Sequence, residues 1–280
     1  MTDGESSANA EQARYWTEYG GPNWVRDEDV YDLMLMPFNV ALLDALDPQP
    51  GERVLDIGCG FGSTSLAASA RGAEVQGVDI SPPMIKRARE RAAEAEASAT
   101  FTVADAQEDP LGGPYDAVTS RFGVMFFADP VRAFHNFATA TRAGGRLAFV
   151  CWQPLDRNPW MTDAPDVIRS LMDDPPPPPP GAGPFAFGDT TFVGRVLADA
   201  GWSQTSYASF ETNARMGGNG GVAGAVQQAL GSSLAKGLLE VGDATLRESA
   251  AAILTDRFES LSVDGVVSFP AAAWIVTARR

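Results

Sequence analysis

The chain has 280 residues, and its 36 acidic and 21 basic residues give a formal charge of −15. Hydrophobic residues make up 45% and charged residues 20% of it, which is typical of a globular protein with a sizeable core. The negative charge argues against nucleic-acid partners, whose binding depends on Lys and Arg that neutralise phosphates. The single histidine, His135, and the spacing of Cys59 and Cys151 predict no metal site.

The N-terminal stretch is polar and acidic, and it has neither the basic nor the apolar region of a signal peptide. No run of residues approaches the ~18 apolar residues of a membrane span. The sequence therefore predicts a cytoplasmic protein with no membrane insertion.

Residues 8–46 have helical character, and from residue 51 to 153 short apolar runs alternate with helical patterns. This alternation predicts a parallel sheet with helices on both faces. Ser81 and Asp129 are predicted N-caps, and Gly144 with Gly145 is predicted to end the helix before the fifth strand. The predicted strands are Arg53–Ile57, Glu74–Ile80, Phe101–Ala104, Tyr115–Ser120 and Arg146–Trp152.

The remaining chain, 154–280, is predicted to complete the sheet and to carry a helical insert at about 211–262. A stiff run of six prolines, Pro175–Pro180, separates two predicted helices. The second of these helices begins after Asp189 and ends at Gly201. The other predicted elements are a strand at Gln204–Phe210, two helices within 217–262 and a last strand within Val266–Ala278.

The segment VLDIGCGFG, residues 54–62, has the glycine spacing of a sharp turn from a strand into a helix, where the backbone approaches a ligand. Asp79 ends the next strand, where a carboxylate can accept hydrogen bonds from both hydroxyls of a ribose. A dinucleotide fingerprint would have its third glycine one residue later than Gly62, at Ser63. Asp56 also stands before the first glycine, which favours a ligand with an ammonium group over a pyrophosphate.

With VLDIGCGFG followed in order by GVDIS, VADAQ and AGGRLAF, the chain resembles a class I S-adenosylmethionine-dependent methyltransferase over residues 50–152. The segments RYWTEYGGPNWV, SRFGVMFF and VCWQP…NPW make it similar to bacterial small-molecule methyltransferases of the quinone-biosynthesis type. The resemblance implies a Rossmann-like, doubly wound, mainly parallel seven-stranded sheet in one compact domain. It divides this domain into an N-terminal helical lid (1–48), a cofactor-binding core (49–153) and the remainder (154–280).

The resemblance also implies roles for residues at the carboxyl ends of the strands. The residues implied in cofactor binding are Asp56 at the ammonium, Gly58, Cys59, Gly60 and Gly62 along the methionine part, Asp79 at the ribose, Ile80 and Met84 beside the adenine, Asp105 and Ala106 at its amino group, Arg121 through its backbone, and Phe122 beside the transfer site. Asp105 alternatively caps a helix, Cys59 fills space, and Met84 packs in the core.

A lid over a small, apolar acceptor is implied by aromatic and apolar residues outside the cofactor motifs, although large rings more often pack in a core. These lid and acceptor candidates are Tyr15, Trp16, Tyr19, Trp24, Met125, Trp152 and Trp160. His135 is a weak candidate for a general base, because it lies mid-helix, below the rim where substrates bind.

The predicted function is in-line transfer of a methyl group from S-adenosylmethionine to a small-molecule acceptor. The product formed from the cofactor is S-adenosylhomocysteine. One alternative is a non-catalytic module that binds either compound and acts through a protein partner. Another is an NAD(P)-dependent oxidoreductase, which the early third glycine disfavours. A homodimer stays open.

Overall fold

The computed structural model describes residues 9–177 and 183–280. The start of the chain and part of the proline run lie outside these residues. In the described part, a seven-stranded sheet has the order β3-β2-β1-β4-β5-β7-β6, and only β7 runs antiparallel to its neighbours. The strands are β1 (Arg53–Ile57), β2 (Glu74–Asp79), β3 (Ala99–Val103), β4 (Tyr115–Arg121), β5 (Thr141–Trp152), β6 (Ser203–Met216) and β7 (Val267–Arg279).

Helices cover both sides of this sheet, which confirms the predicted Rossmann-like class. They are α1 (Ala10–Tyr15), α2 (Gly21–Arg26), α3 (Glu28–Leu46), α4 (Ser63–Ala70), α5 (Pro82–Glu94), α6 (Pro130–Ala140), α7 (Asp163–Ser170), α8 (Thr190–Asp199), α9 (Gly221–Leu230), α10 (Ser233–Val241) and α11 (Ala244–Leu261). In the described ranges, no helix is long and apolar enough to cross a membrane.

The two central strands, β1 and β4, form the deepest part of the core. Val54, Leu55 and Ile57 on β1 have no exposed surface, and neither have Ala117 and Val118 on β4. Burial on both faces explains why these strands are nearly continuous apolar runs. The polar residues at their carboxyl ends are therefore held on a rigid base.

The predicted end of the helix before the fifth strand is wrong. That helix, α6, ends at Ala140, and both glycines lie inside β5. The β4–β5 register shifts after the pair Tyr115 and Thr141, so extra residues of β5 are accommodated there. Gly144 has a φ of +71° at this irregularity, which suits glycine.

The predicted insert also begins too early and contains too few helices. Residues 211–216 continue β6, because each pairs with β7 up to the pair Met216 and Val267. Three helices follow rather than two. The Ser232 hydroxyl accepts a hydrogen bond from the backbone N–H of Ala235, and the Asp243 carboxylate caps the next helix, so each side chain starts a new helix.

Candidate functional site

The glycine turn between β1 and α4 forms the floor of the site. Gly58, Gly60 and Gly62 have φ values of +61°, +55° and +90°, which side chains rarely adopt. A Cβ atom on Gly58 would also lie 3.0 Å from the Cα of Gly123, in the loop after β4. The turn therefore requires glycine at these positions.

Asp56 lies below this turn, with only 1% of its surface exposed. Its Oδ2 accepts a hydrogen bond of 2.6 Å from the Ser65 hydroxyl. Its Oδ1 is buried and has no hydrogen-bond partner among the described residues. Burial raises the pKa of Asp56 to about 7, although Ser65 and the charge of Arg121 act in the opposite direction. A buried carboxylate oxygen without a partner fits a ligand that brings its own cationic donor.

Arg121 is the last residue of β4. Its positive charge complements the carboxylate of Asp56. Its guanidinium makes no hydrogen bond or ion pair with any residue that the structure describes. Burial lowers the pKa of Arg121, and the charges of Asp32 and Asp56 oppose this shift. The resemblance implied a role only for the backbone of Arg121. The structure instead places an unpaired guanidinium near an unpaired carboxylate oxygen, an arrangement that suits the zwitterionic end of an amino acid.

Asp79 ends β2 beside the glycine turn. Its Oδ2 accepts a hydrogen bond of 2.8 Å from the Gly60 N–H, and its Oδ1 accepts one of 2.9 Å from the Ser81 N–H. Burial raises the pKa of Asp79, and these backbone hydrogen bonds counteract part of the shift. The two bonds fix the carboxylate, whose remaining lone pairs can accept two hydroxyl groups.

Met84 and Ile80 complete the edge of the site next to Asp79. Met84 is 3% exposed, and its sulfur is the atom that a Cβ on Gly60 would approach, at 3.9 Å. Ile80, in the loop before α5, is partly exposed. Met84 thus borders the glycine turn and is also part of the core, and the position of both residues beside an adenine stays a prediction.

Asp105 and Ala106 lie in the loop after β3. The Asp105 Oδ1 accepts a hydrogen bond of 3.0 Å from the Gln107 N–H within a turn, and no helix begins there, so the alternative of a helix cap is wrong. The same oxygen accepts a bond of 2.8 Å from the Asn9 side-chain amide, whereas Oδ2 is buried without a partner among the described residues. Ala106 is 6% exposed. Asp105 therefore has one oxygen held by two hydrogen bonds and a second oxygen that a ligand could use.

A cluster of aromatic rings lies where β4 and β5 end. Phe122 stacks on Trp152 with ring centroids 3.9 Å apart, and Trp160 lies 5.1 Å from Trp152. Phe38 of α3 packs edge-on against Phe122 and Trp152. The motifs did not indicate Phe38, and only the apolar spacing of its helix could have suggested it. Phe122 also has a φ of +61°, a strained conformation for a bulky residue.

Met125 lies in a short 3₁₀ helix, Val124–Phe126, after β4 and is 6% exposed. The next residue, Phe126, is in edge contact with Trp16 at 5.4 Å between ring centroids. The loop after β4 therefore connects the floor of the site with the N-terminal helices. In this position Met125 is buried in the core cluster rather than exposed at the rim.

The N-terminal helices α1 and α2 are joined by a π-helical turn, Trp16–Gly20. Trp16 contacts Tyr15 and Trp24 edge-on, at 5.3 and 5.9 Å between centroids. Trp24 stacks on Tyr31 at 3.9 Å. Tyr19 is 59% exposed and takes no part in this cluster. Of the four N-terminal candidates, the structure thus gathers three, and it adds Tyr31.

Ser81 is the N-cap residue of α5, as predicted, but its side chain makes no capping hydrogen bond. Its hydroxyl instead donates a hydrogen bond of 2.8 Å to the Trp16 carbonyl. The hydroxyl can reach this carbonyl because the N-terminal helices lie directly over the start of α5. A Cβ on Gly21 would lie 2.5 Å from the same hydroxyl, so the contact is close.

Two ion pairs fasten α3 to α5 beside the site. The Arg87 guanidinium binds both carboxylate oxygens of Glu28 at 2.8 Å, and the hydrogen bonds lower the pKa of Glu28. Arg91 binds Asp32 at 2.7 Å. Bidentate pairs of this kind are geometrically specific, so α3 has a fixed place next to the glycine turn.

His135 and Cys59 do not provide reactive groups. His135 is exposed on α6, away from the aromatic cluster. Cys59 is 6% exposed, and burial raises the pKa of its thiol well above the usual value. In the part of the chain described, no group of acidic, cysteine or histidine residues could hold a metal ion.

Residues 54–145 match the family model described as "Methyltransferase domain". This stretch, about one third of the chain, is similar to class I methyltransferases. The match contains β1, the glycine turn, β2, β3 and β4, and so every element that holds Asp56, Asp79, Asp105 and Arg121. S-adenosylmethionine is the cofactor of this class.

The methyltransferase domain is also similar to curated relatives over part of their length. An uncharacterized protein of Mycobacterium tuberculosis is 34% identical over 122 residues, which is 43% of this chain and 44% of that protein. Aklanonic acid methyltransferase of Streptomyces sp. (strain C5) is 40% identical over 40% of this chain and 54% of its own length. These matches thus span about half of each relative.

Among solved structures, magnesium protoporphyrin IX methyltransferase of Synechocystis with bound S-adenosylhomocysteine has a TM-score of 0.56 and 18% identity. The alignment covers 98% of this chain and all of that one. At this identity the likeness shows the fold alone. It extends beyond the methyltransferase domain to β6, β7 and the helices between them.

Proposed function

We propose that this protein transfers a methyl group from S-adenosylmethionine to a small-molecule acceptor. One observation carries the proposal. In the methyltransferase domain, the buried Asp56 Oδ1 and the Arg121 guanidinium both lack partners among the described residues. They lie next to the turn after β1, whose backbone conformation requires glycine. An amino acid attached to a nucleoside satisfies both groups at once.

The residues along this edge of the sheet fit the successive parts of the cofactor, one after another. Asp56 would bind the ammonium and Arg121 the carboxylate of the methionine part. Asp79, fixed by two backbone N–H groups, would accept the two ribose hydroxyls. The unpaired Asp105 Oδ2 would accept the adenine amino group. The order of these contacts follows the order of β4, β1, β2 and β3 across the sheet.

When bound, S-adenosylmethionine supplies an electrophilic methyl group: its carbon bonds to the acceptor atom while the carbon–sulfur bond breaks and the sulfur keeps the electron pair. The protein contributes alignment and the exclusion of water. Phe122 and Trp152, stacked and nearly buried, would hold an apolar acceptor. Among the described residues, no side chain beside these rings is identified as a base, and an acceptor such as a phenol or thiol of low pKa would need none because it would react in its ionised form.

The roof over the acceptor would come from α3 and the three-helix insert. The Gln228 amide on α9 lies 3.3 Å from the Met34 sulfur on α3, and Gly218 packs against Val30. The name of the Streptomyces relative, aklanonic acid methyltransferase, supports a small organic acceptor. A net charge of −15 disfavours nucleic acid.

Ligand-induced shifts of the melting temperature and a methyl-transfer screen test this function. S-adenosylhomocysteine should stabilise the protein and NADH should not. The screen uses radiolabelled S-adenosylmethionine with small phenols, quinols, amines and thiols, and at least one class should be methylated. Stabilisation by NADH alone would overturn the proposal. Binding without turnover on any class would favour the non-catalytic module instead.

The division of the chain into lid, core and remainder, the cytoplasmic location and the homodimer stay predictions. Limited proteolysis with and without S-adenosylhomocysteine tests the lid, because a lid should become protected when the ligand binds. Cell fractionation tests the location. Light scattering of the purified chain tests the homodimer.

A further inference from the structure

We propose that Asn9 is a positioning residue: it fixes the carboxylate of Asp105, so that the adenine end of the cofactor site is complete only when the N-terminal segment (residues 9–26) is closed over it. The inference rests on the proposed function, since it takes the ligand to carry an adenine. No cofactor motif includes Asn9, and it precedes the first helix.

The first observation is the burial and bonding of the Asn9 amide. Asn9 is 2% exposed. Its Nδ2 donates a hydrogen bond of 2.8 Å to the Asp105 Oδ1, and its Oδ1 accepts one of 3.0 Å from the Ala128 N–H. One side chain therefore joins the loop after β3 to the loop after β4. A buried amide without hydrogen-bond partners costs free energy, so these bonds stabilise the position of the segment. They form only when the segment is in place.

The second observation is the difference between the two oxygens of Asp105. Oδ1 accepts hydrogen bonds from the Asn9 amide and the Gln107 N–H. Oδ2 is buried and has no partner among the described residues. The two bonds to Oδ1 set the plane of the carboxylate and so the direction of Oδ2. A neutral amino group in that direction, such as that of adenine, would complete its hydrogen bonding.

The third observation is that other atoms of the same segment bind the neighbouring loops. The Ser81 hydroxyl, after β2, donates to the Trp16 carbonyl at 2.8 Å. Trp16 contacts Phe126, after β4, with ring centroids 5.4 Å apart. The segment thus bridges the loops that follow β2, β3 and β4. Since Asp105 Oδ2 is buried when the segment is in this position, a ligand can reach this oxygen only after the segment opens.

Closure and adenine binding are therefore coupled, and the coupling must act in both directions. A bound adenine stabilises the orientation of Asp105 that Asn9 requires. In turn, the Asn9 contact stabilises the orientation of Asp105 that adenine requires. Loss of the Asn9 amide should weaken binding and, above all, speed up dissociation, because the closed segment must open for the ligand to leave.

The test measures S-adenosylhomocysteine binding by calorimetry and its dissociation rate by stopped flow, with full-length variants. Asn9→Ala and Asn9→Asp should each raise the Kd about 10-fold, mostly through faster dissociation. Asn9→Asp is nearly isosteric, but its carboxylate cannot donate to Asp105. Glu11→Gln, an exposed change two residues away in the first turn of α1, is the matched control and should leave both values unchanged.

A double-mutant cycle separates positioning of Asp105 from a general effect on the segment. In an Asp105→Ala background, Asn9→Ala should have no further effect on the Kd. Amide exchange of residues 10–26 should slow on ligand binding in the wild type and much less in Asn9→Ala. Wild-type affinity and dissociation rate in Asn9→Ala, or additive effects in the cycle, would overturn the inference. No binding of S-adenosylhomocysteine by the wild type would instead refute the proposed function.

Discussion

Asp56→Asn should remove a pH dependence of stability from the ligand-free protein. Burial raises the pKa of Asp56 from its usual 3.8 to about 7, so the folded state binds this proton more tightly than the unfolded state. The resulting stabilisation is fully present below pH 3.8 and is lost as the pH rises through about 7. An asparagine keeps the size of the side chain and can still accept from Ser65, but it does not titrate.

The size of this pH dependence follows from the part of the pKa shift of Asp56 that lies in an experimentally accessible pH range. Asp56 is 1% exposed, so solvent does not screen its charge appreciably. Between pH 5 and the folded-state pKa of about 7 lie about two pH units, over which only the folded state holds this proton. The free energy of unfolding therefore falls by about 2.5 kcal/mol from pH 5 to pH 8. Asp79 also has a pKa raised by burial and adds a slope of the same sign. The difference between wild type and Asp56→Asn isolates the contribution of Asp56.

Urea unfolding at pH 5, 6, 7 and 8 measures this difference. The free energy of unfolding should fall by about 2.5 kcal/mol more in the wild type than in Asp56→Asn. The control Asp199→Asn, an exposed change at the end of α8, should keep the wild-type slope. Saturating S-adenosylhomocysteine should reduce the slope, because its ammonium stabilises the ionised carboxylate. Parallel pH dependences of wild type and Asp56→Asn would refute the reasoning.

Three further predictions concern the rest of the site. Asp79→Ala should weaken S-adenosylhomocysteine binding about 100-fold, since two charge-assisted hydrogen bonds are lost; an unchanged calorimetric Kd would remove the ribose assignment. Gly62→Ala should lower the free energy of unfolding by about 2 kcal/mol, because φ is +90° and the Cβ would lie 3.1 Å from Phe101. Gly237→Ala, in a helix with open space around it, should show no loss in the same urea titration. Arg121→Gln should weaken S-adenosylhomocysteine about 10-fold and leave adenosine, which has no carboxylate, unaffected; equal losses would contradict the carboxylate contact.

The core strands could be predicted because their signals are local. β1 has the predicted bounds, Arg53–Ile57, and β2 and β4 differ from prediction by one residue at one end. Each is a short apolar run that is buried on both faces and followed by a turn. The glycines and Asp79 could be recognised for the same reason, since their chemistry follows from spacing along the chain.

Pairing with distant strands overrode local signals elsewhere. Gly144 and Gly145 are strong helix terminators in isolation, yet they lie in β5, where a register shift against β4 accommodates them. Residues 211–216 read as part of the insert, but β7 provides a full ladder of partners that extends β6 to Met216. In both places the partner strand lies far away in sequence, so no local pattern contains it.

The sequence by itself determined the methyltransferase domain, the glycine turn and the acidic residues that follow its strands, because short-range periodicity and spacing specify them. Only the tertiary structure decided that the Arg121 guanidinium has no hydrogen-bond or ion-pair partner among the described residues and that Phe38 joins the aromatic cluster. It also decided that Asn9 reaches Asp105, 96 residues away, and Ala128, 119 residues away. Such contacts depend on where successive crossovers bring the loops together at one edge of the sheet, and a linear pattern does not encode that meeting point.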